Sequence, residues 1–184
     1  MQKPGLAKEV DYTKISKKTA MKRKEGSVAL PTRILLDKGL IVGNVLHHGS
    51  GQDIGSSKAM SDVAGSVTDF DPNFTPDFKA LNKKYDTVIS NYVINTLPPD
   101  DRNKALIDIA KTTKGVAYIA VRGMGNVIAG EPKFDGVITS KVTFQKIYSP
   151  DVLMQELALY FNDVKIISGT PKSSLIIASA CNPK

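Results

Sequence analysis

Cysteine is nearly missing from this chain and tryptophan is missing altogether. With Cys181 as the one thiol, neither an internal disulfide framework nor a cysteine-built zinc cluster can form. Histidine is almost as scarce: His47 and His48 are the whole complement. As neighbours on an extended strand they point to opposite faces, which excludes one paired metal site. No apolar stretch reaches the roughly 18 to 20 residues that a bilayer-spanning helix needs, and no apolar segment of the signal-peptide kind follows the lysine-rich start. The expectation is a cytoplasmic protein with no membrane association. Negative charge is sparse in the first segment. Residues 1–38 hold ten lysines and arginines against Glu9, Asp11, Glu25 and Asp37, whereas the rest holds fifteen against fourteen acids, so nearly all of the +7 net charge lies there. Such a basic arm suits DNA or RNA, because each neutralised phosphate releases counterions. It lacks the interleaved aromatics of a single-strand binder.

What is present is the material of one core: 184 residues, 41% hydrophobic and 23% charged, ordinary for a single globular domain. Residues 1–26 read as a basic N-terminal arm lying over the surface, and residues 27–184 as the domain. Ser27 reads as the cap of a short helix that carries Ile34, Leu35 and Leu36 and stops at Gly39. Leu40 to His48 reads as a strand entering the turn His48-Gly49-Ser50-Gly51. Gln52 to Lys58 opens a helix running on through Ala64, and the strand Ser66 to Phe70 delivers Asp71-Pro72. Residues 72–84 are too short for another strand and helix. Tyr85 to Ser90 is the next strand, with Asn91-Tyr92 at its end. A helix then runs from Pro98-Pro99 to near Gly115, followed by the near-continuous apolar strand Val116 to Val121, a pattern that predicts burial on both faces.

Toward the end, Val137 to Tyr148 reads as a short hairpin or an extended excursion, and Lys141, Lys146 and Arg122 as exposed solubility residues, the alternative being that they orient a phosphate or polar substrate. Ser149-Pro150-Asp151 has helix-start chemistry, with Val152, Leu153, Leu157 and Tyr160 as the buried face. Val164 to Ser168 and Leu175 to Ser179 flank Gly169-Thr170-Pro171-Lys172, a separation too short for a helical crossover, so they must pair antiparallel. The fold class expected is α/β: a Rossmann-like sheet, mostly parallel, with an antiparallel C-terminal strand.

Gly49 and Gly51 permit a tight turn and a close approach of backbone to ligand. Asp71 stands twenty residues beyond Gly51, at the end of the next strand, where its two oxygens match the two hydroxyls of a ribose. Together they predict an adenosine-containing ligand. The usual dinucleotide fingerprint places a third glycine where this chain has Ile54, which argues against a standard NAD pyrophosphate site. Leu97-Pro98-Pro99-Asp100 is not the Asn-Pro-Pro-aromatic motif of amino-methyltransferases acting on adenine and cytosine, so it carries no claim of base methylation.

These residues, with Lys18-Thr19-Ala20-Met21, Leu30-Pro31-Thr32-Arg33, Asn91-Tyr92-Val93-Ile94-Asn95, Asp135-Gly136 and Thr143-Phe144-Gln145-Lys146, are the basis of a family resemblance. The chain resembles class I S-adenosylmethionine-dependent methyltransferases, most closely those associated with bacterial DNA phosphorothioation gene clusters. The resemblance implies a methyltransferase-like sheet and S-adenosylmethionine as cofactor. It implies that Gly49, Ser50, Gly51, Asp53, Asp71 and Asn91 surround the cofactor, with Asn91 and Tyr92 near the methyl-transfer end. Those two residues and His48 are the candidates to orient an acceptor. Two positions depart from the family: Ser50 stands where cysteine is usual, and Asp53 where the last glycine of the turn is usual. Asp53 is suited either to cap the following helix or to crowd the ligand. Two other functions fit the same residues, a noncatalytic nucleic-acid-binding or assembly module on a methyltransferase fold, and an enzyme that degrades S-adenosylmethionine without an acceptor.

Overall fold

Residues 10–184 are described by a computed structural model, and the first nine residues of the basic arm lie outside the described residues. In chain order the strands are β1 (Lys22–Arg23), β2 (Asn44–His48), β3 (Gln52–Asp53), β4 (Ser66–Phe70), β5 (Tyr85–Asn91), β6 (Thr113–Arg122), β7 (Glu131–Lys133), β8 (Gly136–Ile138), β9 (Phe144–Gln145), β10 (Phe161–Ser168) and β11 (Leu175–Pro183). The helices are α1 (Tyr12–Ser16), α2 (Leu30–Asp37), α3 (Ile54–Ser61), α4 (Pro99–Thr112) and α5 (Pro150–Leu157).

Six strands form the main sheet in the order β10-β11-β6-β5-β2-β4. Strands β4, β2, β5 and β6 run parallel, and β11 is antiparallel to both β6 and β10. The expected terminal reversal is therefore present. β4 is the sheet's edge because residues 71–84 hold only a bridged turn and a short 3-10 helix at Phe78–Asn82, too little chain for another strand. Period-two alternation divides the apolar residues between two faces. Leu46 joins Leu106 and Ile109 of α4 and Leu153 and Leu157 of α5 on one side, and Val45 joins Leu35 of α2 and Met60 of α3 on the other. His47 and His48 continue this alternation onto the α3 and α4 sides.

Local starts differ from the sequence expectation for identifiable reasons. Gly43 takes φ +68°, which breaks the extended chain, so β2 begins at Asn44 rather than Leu40. α2 begins at Leu30 behind Ala29, not Ser27, and the buried Ala29 N–H is satisfied by Ser56 Oγ at 2.9 Å. α5 is capped by Ser149 as expected, but Val152 is 41% exposed and does not belong to its buried face. The hairpin expected over 137–148 is part of a three-stranded antiparallel sheet, β7-β8-β9.

Candidate functional site

The turn between β2 and α3 is shaped by two left-handed glycines, Gly49 at φ +70° and Gly51 at φ +55°. A Cβ at Gly49 would stand 2.2 Å from Val93 Cγ2, so the chain has no room for a side chain there. Gly49 and Ser50 donate their N–H groups to the Phe70 carbonyl at 2.7 and 3.1 Å. Gly51 N–H donates to Asp71 Oδ2 at 3.0 Å, while Asp71 Oδ1 accepts from the N–H groups of Asn73 and Phe74 at 2.8 and 3.1 Å. Asp71 thus ties the glycine turn to the loop after β4.

Asp53 caps α3: its carboxylate accepts from Ser56 N–H at 3.0 Å and Ser56 Oγ at 2.7 Å. Its other neighbour is Arg23, 3.5 Å away, brought there by a two-residue parallel ladder between β1 and β3. The residue that departs from the family's glycine is therefore the anchor of the arm. Gly55 completes the fit, since a Cβ there would meet the Ser27 and Lys24 carbonyl oxygens at 2.0 and 2.4 Å. Thr13 is tethered as well, its carbonyl accepting from Asn73 Nδ2 at 3.0 Å.

Between these elements lies a cavity of about 300 Å³. Every residue singled out from the sequence, His48, Gly49, Ser50, Gly51, Asp53, Asp71, Asn91 and Tyr92, lines it. Sequence reasoning missed two of its walls. One is the arm, which contributes Thr13, Lys17, Thr19 and Arg23; none of the arm's elements buries a residue, so no apolar periodicity announced it. The other is the solvent-side face of α4, with Asp101, Lys104 and Asp108.

His47 is a packed residue, with Nδ1 3.0 Å from Ser57 Oγ and 3.3 Å from Asp69 Oδ1. Burial works against the Asp69 carboxylate, but hydrogen bonds from His47 and Ser57 outweigh it and hold its pKa below the usual range. His48 is different. Both its ring nitrogens are buried without a partner, and its ring lies 5.4 Å from that of Phe70. Burial, reinforced by the neighbouring His47, lowers its pKa from 6.5 to about 4, so at neutral pH it is an uncharged wall rather than an acid. Asn91 donates from Nδ2 to Thr32 Oγ1 at 2.8 Å and keeps Oδ1 as a buried acceptor with no partner. Tyr92 sits at φ +58°, with its N–H held by the Ala120 carbonyl at 2.8 Å, and burial raises its phenol pKa. Left-handed backbone at a non-glycine concentrates at functional sites, where the surrounding fold enforces it.

The depressed His48 pKa has a consequence for stability. Between pH 6.5 and 4 the unfolded chain binds a proton that the folded chain refuses, so the stabilisation is complete above pH 6.5 and falls as pH drops toward 4. The expected loss is roughly 3 kcal/mol. Urea denaturation across this window should show it in the native chain and not in His48→Leu; parallel acid limbs in the two proteins would contradict it.

No family model and no curated protein sequence matches the chain. Solved structures do. The DhpI–SAH complex superposes with a TM-score of 0.59 at 18% identity, over 83% of this chain and 82% of that one. Burkholderia thailandensis 1,6-didemethyltoxoflavin-N1-methyltransferase, solved with 1,6-didemethyltoxoflavin and S-adenosylhomocysteine, gives 0.57 at 17% identity, over 84% and 77%. A Pyrococcus horikoshii OT3 protein gives 0.59 at 15% identity, over 84% and 89%. These likenesses show the fold, a Rossmann-like class I methyltransferase sheet.

Proposed function

We propose that this chain is an S-adenosylmethionine-dependent methyltransferase whose cofactor occupies the cavity at the glycine turn. The observation that carries the reading is the cradle itself: a turn with no space for a Cβ at Gly49, braced by Asp71, lining one cavity with Asn91, whose Oδ1 is buried and unpartnered. Those groups fit the cofactor. The glycines allow close backbone approach, Asn91 Oδ1 is an acceptor for the ammonium group, and Asp71 is an acceptor for a ribose hydroxyl. Bound there, S-adenosylmethionine would supply a methyl group activated by its sulfonium for transfer to an acceptor's lone pair. The protein's part is alignment and removal of competing water, for which the arm over the cavity and the uncharged His48 are suited. Similar structures solved with SAH support the same reading.

Calorimetric titration of the full chain with S-adenosylhomocysteine should give saturable binding, and Gly49→Val should abolish it while circular dichroism stays native. A folded native chain that does not bind would overturn the reading. Transfer of labelled methyl, and not binding alone, separates it from a noncatalytic module; label released without an acceptor would indicate degradation of the cofactor instead.

A nucleic-acid acceptor, as the resemblance to phosphorothioation-associated methyltransferases implies, is supported by the arm. Lys17, Lys18, Lys22 and Lys24 are exposed, and the arm's ion pairs among the described residues use Lys14 and Arg23 instead. Removing the arm would unroof the cavity, so charge reversal is the cleaner probe. With all four lysines changed to glutamate, the slope of log affinity for DNA or RNA against log salt should fall by about three. An unchanged slope would remove the arm from nucleic-acid binding.

A further inference from the structure

Beside the cofactor cavity opens a second groove, of about 710 Å³, which shares Thr13, Asp101 and Lys104 with it. Its apolar walls are two rings from distant parts of the chain, Tyr12 of α1 and Phe134 at the tip of the β7–β8 hairpin. They meet edge to face, with centroids 6.3 Å apart and planes at 82°. Pro98 and Pro99, at the start of α4, also line it.

Phe134 is the informative residue. It is 62% exposed, and its φ is +53°, the left-handed value that the first residue of a two-residue hairpin loop, here between the paired Lys133 and Gly136, adopts. The loop is anchored by the next residue: Asp135 is bound by the buried Arg102 and by Lys146 Nζ at 2.8 Å. Behind it, Phe144 packs against the Phe134 ring with centroids 6.3 Å apart. An exposed ring locked in this way is pre-organised, and a flat ligand loses little freedom in meeting it. The groove's polar groups lean acidic. Asp11 is paired with Lys14 and Asp101 with Lys104, whereas Asp100 has no ion-pair partner among the described residues, and Lys133 lies over the Phe134 ring. A carboxylate accepts from N–H and repels a carbonyl.

We propose that this groove binds the methyl acceptor as a planar heteroaromatic ring bearing an exocyclic amine, with the ring against Tyr12 and Phe134 and the amine toward Asp100 and Asp101. The inference rests on the methyltransferase reading, and the same chemistry is offered by a free heterocycle or by a base in a nucleic-acid strand. The test uses the full chain saturated with S-adenosylhomocysteine, so that the cofactor cavity is filled. Adenine and cytosine are titrated against their carbonyl counterparts hypoxanthine and uracil, and oligodeoxyadenylate against oligothymidylate, with binding followed by calorimetry and by the NMR signals of the Tyr12 and Phe134 rings.

The amine-bearing member of each pair should bind more tightly, as free base if the acceptor is small and only as oligonucleotide if it is a strand. Phe134→Ala should weaken that binding about tenfold, and Asp100→Asn should erase the preference for the amine. Equal binding of amine and carbonyl compounds, binding indifferent to Phe134→Ala, or no binding to the saturated protein would each overturn the proposal while leaving the methyltransferase reading intact. Failure of S-adenosylhomocysteine itself to bind would overturn both.

Discussion

Arg102→Leu should lower the unfolding free energy by about 3 kcal/mol, because it leaves the mostly buried Glu156 carboxylate without its principal counter-charge. Arg102 is 4% exposed. Its guanidinium donates to Glu156 Oε1 at 2.6 Å, to the Leu97 carbonyl at 3.0 Å, and to both oxygens of Asp135. Lys146, 2.8 Å from Asp135 and 3.2 Å from Glu156, is the second cation of the cluster. Without the guanidinium, one ammonium group would serve two carboxylates, and the Leu97 carbonyl would lose its donor. Asp135 is half-exposed and can recruit water, so most of the cost falls on Glu156, which is mostly buried. Urea midpoints and slopes for the native and variant chains measure the loss. A change below about 1 kcal/mol would mean that the cluster behaves as a solvated surface network. The same substitution should loosen the hairpin that carries Phe134, visible as faster amide exchange over residues 131–138 than over β5.

That cluster also shows where sequence reading runs out. Lys146 reads as an exposed solubility residue, yet it is 8% exposed and lies 4.4 Å above the Tyr148 ring. The members of the cluster come from α4, α5 and a hairpin tip far apart in sequence, and no local pattern encodes their meeting. By contrast, the parallel strands and their reversal at the C-terminus are legible because burial on one or both faces imposes period-two or continuous apolar runs. The short edge of the sheet is legible too, since residues 72–84 cannot hold another strand and helix. The glycine turn and Asp71 are visible for the same local reason: positive φ needs glycine, and the spacing follows from one strand and one helix. The arm is the opposite case. Its hold on the domain consists of two ladder positions, one ion pair, the hydrogen bond from Asn73 to the Thr13 carbonyl, the contact of Tyr12 with Phe134 and a glycine slot at Gly55, none of which leaves a periodic trace. Asp53 marked it only as an exception to the family turn.

Asp71→Asn should weaken S-adenosylhomocysteine binding by about ten- to a hundredfold, and the structure alters what accompanies that loss. A carboxylate offers about four acceptor positions, and Asp71 spends three of them on the N–H groups of Gly51, Asn73 and Phe74. One is left for a ribose hydroxyl, not the two that the sequence suggested. Asparagine has a single carbonyl oxygen. Whichever way the amide turns, its NH2 group faces a backbone donor, either Gly51 or the Asn73 and Phe74 pair, and a donor left unpaired costs about 1–3 kcal/mol. The variant should therefore lose stability in that range as well as affinity, so weakened binding alone does not separate a ribose contact from a displaced glycine turn. The separation comes from the deoxyribose analogue of S-adenosylhomocysteine, titrated alongside the parent ligand. If Asp71 touches the ribose, the native chain prefers the parent and Asp71→Asn binds both ligands alike. If Asp71 only braces the turn, affinity for both ligands falls together and the preference for the parent survives the substitution, which would remove Asp71 from the ribose site while leaving it as the strut that holds Gly51.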